Sequence, residues 1–110
     1  MTTMAVFSYH ASKQLKDRHD YTVPYNRPID IEQGFVKALR FTHDINGDCS
    51  AWVFKDLSVK IMLIMAHKSK VVVTTYGGKD FDENRKMFVE AYKNVATHPE
   101  IIKANAPYKK

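Results

Sequence analysis

Histidines and cations are the residues through which this 110-residue chain can do chemistry. Five histidines, His10, His19, His43, His67 and His98, accompany seventeen Lys and Arg and one cysteine. The histidine spacings match none of the patterns by which imidazoles and thiolates enclose zinc, so the sequence predicts neither a metal nor another cofactor. Cys49 stands beside a turn with no sequence neighbour that would hold it as a thiolate, and is read as an inert thiol. There is no Walker A loop, no dinucleotide-binding glycine pattern and no His-Glu-x-x-His. His10, Lys13, Gln14 and Arg18 are different in kind. Their separations include three and four residues, so a helix through them gathers several polar groups on one side. His67-Lys-Ser-Lys70 places a second histidine beside two lysines in what reads as a hairpin loop.

The elements that must position these groups can be traced along the chain. Ala5-Val-Phe-Ser-Tyr9 alternates weakly and is either a short first strand or a lead-in. His10 to Arg18 is rich in straight-chain residues and predicts a surface helix pinned by Ala11 and Leu15. Asp20 to Pro28 breaks the pattern, because each of its prolines biases the preceding residue away from helix. Asp30 with Gln33 has the form of a capping box, and Ile31, Phe35, Ala38 and Leu39 fit one helical face. A second helix is therefore expected up to Phe41 or Thr42, with Gly34 costing it roughly 1 kcal/mol relative to alanine. Asp44-Ile-Asn-Gly-Asp48 reads as a tight turn; its glycine comes too early, and no glutamate stands at the twelfth position, for a calcium loop.

Ala51 to Tyr76 carries the sheet. Ala51-Trp-Val-Phe54 opens it, with Trp52 as a core or sheet-face anchor rather than a stacking platform. Val59 to Met65 alternates, placing Val59, Ile61, Leu63 and Met65 on one face and Lys60, Met62 and Ile64 on the other. Val71-Val-Val-Thr-Thr-Tyr76 is almost wholly β-branched or aromatic. Gly77-Gly78 then reads as a strand exit, Asp80 with Glu83 as a helix start, and Met87, Phe88, Ala91, Tyr92 and Val95 as the stripe that covers one sheet face. A short helix is expected at Thr97 to Glu100, and Ala106 to Lys110 is a basic tail. The expected fold is α+β: N-terminal helices, a three- to four-stranded antiparallel sheet, and a C-terminal helix packed on the sheet. A single domain is expected over residues 1–105.

Charge narrows the partner. The chain carries a net charge of +5, which favours a polyanion such as nucleic acid. No apolar run approaches the ~20 residues of a membrane-spanning helix. The first residues lack a signal-like apolar core, so the reading is a cytoplasmic protein with no membrane partner.

Tyr9-His-Ala-Ser-Lys-Gln-Leu-Lys-Asp-Arg18 resembles the opening helix of small RelE-like toxin families, in which a His-Ala pair begins a helix that ends in a basic residue. The likeness extends loosely over residues 7–76 through the expected second helix and strands, and departs in carrying Lys13 or Leu15 where arginine is more typical. It implies a metal-independent ribonuclease. Such chemistry needs a base for the 2′-hydroxyl, an acid for the leaving oxygen and cations for the phosphorane charge. On that resemblance His10 or His67 would be the acid or base, and Tyr76 would orient a group or stack a base. Lys13, Arg18, Lys60, Lys68 and Lys70 would hold RNA phosphates. Two other readings stand beside it. One is a non-enzymatic protein-binding module, an inhibitor or accessory factor of a phage or other mobile element, using a sheet edge or the Tyr21 to Pro28 loop. The other is a homodimer that buries the sheet face bearing Met62 and Ile64 between copies.

Overall fold

Ser8 is where the chain turns from strand to helix. Its Oγ accepts a hydrogen bond of 3.1 Å from Ala11 N, capping a helix that follows directly on a first strand. The computed structural model describes residues 2–77 and 85–97, and within these the strand is β1 (Met4–Phe7) and the helix α1 (Tyr9–His19). Asp20 ends α1 in the left-handed region at φ 52°, and Lys16, Arg18 and His19 in the last turn complement the helix dipole. Ala11 and Leu15 are fully buried, as the thin apolar stripe requires.

The remaining order is β2 (Pro28–Asp30), a single 3₁₀ turn at Ile31–Gln33, β3 (Phe35–His43), β4 (Gly47–Phe54), a 3₁₀ turn at Leu57–Val59, β5 (Met62–Ala66), β6 (Val71–Tyr76) and α2 (Arg85–Val95). The expected second helix is thus a strand. Asp30 does cap, accepting from Glu32 N at 3.0 Å, but only the one 3₁₀ turn. The helix-like spacing has a simple origin. A bulge between Lys37 and Leu39 re-phases the β3 alternation, so Val36, Ala38, Leu39 and Phe41 all reach one core cluster. Ile31 and Phe35, which fit the same helical face as Ala38 and Leu39 in sequence, enter the opposite core, so the spacing of three and four joins residues from both faces of the sheet. Asn46-Gly47 then closes the β3–β4 hairpin, with Gly47 at φ 70°.

The sheet is also larger than expected: among the described residues it has six strands in the order β2-β1-β6-β5-β4-β3. All neighbours are antiparallel except β1 and β6, which run parallel. The four-stranded antiparallel part, β3 to β6, is joined to the β1–β2 pair through that parallel contact.

Each face has its own core. On one, Phe7, Ala11, Leu15, Trp52, Ile61, Leu63, Met65 and Val72 form a cluster beneath α1. Trp52 is an anchor there, 4% exposed, with its indole N–H donating to Ser50 Oγ at 2.8 Å. On the other, Phe88, Ala91 and Val95 of α2 pack on Val53, Met62 and Ile64, with Met87 and Tyr92 at the margin. Met62 and Ile64 are therefore covered within the chain, and a homodimer built on that face is excluded by α2. No helix among the described residues is long and apolar enough to cross a membrane. The expected cap at Asp80 with Glu83, Gly78 of the strand exit, most of the helix at Thr97 to Glu100 and the basic tail lie outside the described residues.

Candidate functional site

The parallel pairing of β1 with β6 is short, and that shortness makes a site. Only Val6 with Val71 and Phe7 with Val72 are paired, so from Thr74 onward the outer edge of β6 has no strand beside it among the described residues. Side chains of α1 take that place. Gln14 Oε1 accepts from Thr75 N at 2.9 Å and from the hydroxyls of Thr74 and Thr75 at 3.2 Å each. Arg18 donates to the Thr75 carbonyl at 3.3 Å. Backbone groups that a neighbouring strand would satisfy are thus held by the helix. The seam between α1 and the end of β6 opens into a cavity of about 600 Å³.

His10, Lys13, Gln14, Asp17, Arg18 and His19 line this cavity from α1, with Gly77 opposite. Positions 10, 13, 14, 17 and 18 lie three and four apart, so they share the helix face next to the buried Ala11–Leu15 stripe. Gly77 matters for space. A Cβ there would lie 2.6 Å from His19 Nε2, so only glycine lets the imidazole pack against the chain at this point. Lys13 pairs with Asp17 at 3.2 Å on the exposed crest, a contact that water screens. The cavity therefore gathers two imidazoles, an ammonium and a guanidinium around one carboxylate.

Of the residues singled out from sequence, His10, Lys13 and Arg18 meet in this cavity. The others stand elsewhere. Tyr76 faces the α2 side of the sheet, with its ring centroid 6.3 Å from that of Phe88. Lys60 is the exposed residue ending the 3₁₀ turn before β5. Lys68 and Lys70 lie in the β5–β6 hairpin, Lys70 at φ 59° with its carbonyl accepting from Val6 N at 2.9 Å. His67 opens the same hairpin, and its N–H donates to the Asp48 carbonyl at 2.9 Å. Asp48 pairs in turn with Arg40 across the β3–β4 ladder. Burial holds the His67 pKa below its ordinary value, and the nearby Arg40, Lys37 and Lys70 charges add to this while Asp48 opposes them. His10 and His67 thus belong to different clusters and do not form one acid–base pair.

Sequence reasoning missed His19 and Gly77. The first lies one residue beyond the helix end expected at Arg18, and the second reads better as a strand exit than as a phosphate contact. Continuing the polar face of α1 by a further residue would have found His19. The inert reading of Cys49 agrees with its full burial, which pushes its pKa up. No cluster of His, Cys, Asp and Glu suited to a metal occurs among the described residues. The outer edge of β3, by contrast with a docking edge, carries Lys37, Arg40 and a bulge, features that discourage addition of a further strand. Comparison of the chain with protein-family models, with curated proteins and with solved structures finds no match.

Proposed function

We propose that this protein binds RNA along α1 and cleaves it without a metal ion in the cavity between α1 and β6. The observation that supports this reading is the gathering of His10, Lys13, Arg18 and His19 on the wall of one cavity. His10 is the general base. It takes the proton of a 2′-hydroxyl, the 2′-oxygen attacks the adjacent phosphorus, and the bond to the 5′-oxygen breaks to leave a cyclic phosphate. The departing oxygen takes a proton from water. Lys13, three residues from His10, meets the charge that develops on the phosphorane.

Distance decides the role of His19. Nine residues of helix separate it from His10 by about 13.5 Å along the axis, too far for both to work on one phosphodiester bond. His19 and Arg18 therefore contact the neighbouring nucleotide. The resemblance of Tyr9 to Arg18 to the opening helix of RelE-like ribonucleases agrees with this assignment.

A titration of labelled single-stranded and duplex RNA and DNA at low and high salt, in the presence of a chelator, tests the reading. Binding that weakens steeply with salt is expected, because phosphate contacts release counterions. RNA should be cut despite the chelator, and His10→Ala should abolish cutting with affinity retained. Binding without cutting would remove the catalytic half of the proposal. No binding at low salt would remove all of it.

A further inference from the structure

We propose that the cleft on the opposite flank of α1 is a stacking shelf for one unpaired base of the same RNA, an assignment that rests on the RNA-binding reading above. This cleft has a volume of about 790 Å³ and runs between α1 and the segment after it, with Tyr9, Lys13, Lys16, Tyr25 and Arg27 on its walls. Two tyrosines dominate its mouth. Tyr9 is 58% and Tyr25 48% exposed, and their centroids lie 5.1 Å apart with the rings at 84°. In this edge-to-face pair the rings do not cover one another face to face, which leaves aromatic surface for a third ring. Neither tyrosine belongs to a core cluster, in contrast to the buried Trp52.

The shelf is built in advance of any ligand. Ser12 Oγ donates to the Val23 carbonyl at 2.8 Å in a buried contact, and the Val23 side chain enters the core. Three residues on, Asn26 N donates to the Phe7 carbonyl at 3.1 Å, with Asn26 at φ 59°. Tyr25 is therefore held between two anchored residues, which lowers the entropy lost when something stacks on it.

Charge selects the occupant. Lys13, Lys16 and Arg27 stand against Asp17 alone on the cleft walls. Lys16 is paired with Asp20 at 2.7 Å, but both are exposed, and such pairs exchange readily for a phosphate. Arg27 is exposed and has no side-chain partner among the described residues. Lys13 and Asp17 line both cavities, so the crest of α1 divides them. A single strand crossing that crest places a phosphate on Lys13, one nucleotide in the His10 cavity and the next base on the tyrosines. Stacking accepts every base but requires it unpaired, so the shelf favours single strands over duplex and is indifferent to sequence.

The test is fluorescence anisotropy with a fluorescein-labelled 2′-O-methyl RNA, which has no free 2′-hydroxyl to cleave, as a single strand and as a duplex. The parent should prefer the single strand. Tyr25→Ala should weaken it by about tenfold, the order lost with one stacked base, while Tyr25→Phe stays close to the parent. Arg27→Ala should lower the salt dependence by about one phosphate contact. Unchanged affinity in Tyr25→Ala, with the parent still binding, would overturn the shelf and leave the cavity reading standing. A protein ligand lost in Tyr25→Ala while RNA affinity is untouched would overturn it also. Failure of the parent to bind would overturn both.

Discussion

Gln14 illustrates how single residues serve fold and site together. Its one carbonyl oxygen collects three donors from β6, and its side chain also lines the cavity. Gln14→Ala leaves Thr75 N without an acceptor, and should destabilise the protein by about 1–3 kcal/mol in urea unfolding. Gln14→Glu, which keeps the acceptor, should recover most of that loss. Tyr92 is the opposite case. Its hydroxyl is buried without a hydrogen-bond partner among the described residues, and burial pushes its pKa up. Removing the oxygen in Tyr92→Phe should therefore change stability by less than about 0.5 kcal/mol or raise it. At this scale the sequence was informative wherever helical spacing governed the neighbourhood. His10, Lys13 and Arg18 could be grouped from their separations alone, whereas Tyr9 and Tyr25 come together through a proline-bearing loop whose path no periodicity encodes.

Elements show where local pattern and tertiary structure part. The stripe of α2 was legible because a regular helix keeps its spacing for its whole length. β3 was not, because its bulge imposes a break in alternation that only pairing with β4 explains. β1 was ambiguous for a related reason: a four-residue strand is fixed by its partner, here β6 some 65 positions away in sequence, Val6 against Val71. The β5–β6 hairpin carries a pH prediction of its own. The His67 pKa is lower in the folded protein than its ordinary 6.5, so the unfolded chain binds that proton more readily. Stability should then rise with pH through the imidazole range and fall as pH drops below about 6.5. Thermal melting between about pH 8 and 5 should show a shallower dependence in His67→Gln, which cannot titrate. An unchanged slope would mean that His67 ionises as freely in the fold as outside it.

For the whole molecule, the division of labour lies between the two faces of one sheet. α2 closes one face with an apolar stripe, while α1 closes the other and turns its polar side toward a cavity on each flank. The α+β class was legible from the alternation of strand and helix periods. The sheet's size and its one parallel contact were not, since both depend on contacts distant in sequence. Net positive charge favours an anionic partner without saying where it would sit; on the proposed reading α1 is preferred to the His67–Lys70 hairpin, because α1 combines cations with two cavities. Backbone NMR shifts on adding a short uncleavable single-stranded RNA test this most directly. Shifts are expected at His10 to His19, Gly77 and the Tyr25–Arg27 segment, with the His67–Lys70 hairpin and α2 undisturbed. Shifts centred on the hairpin, or none at any residue, would contradict it.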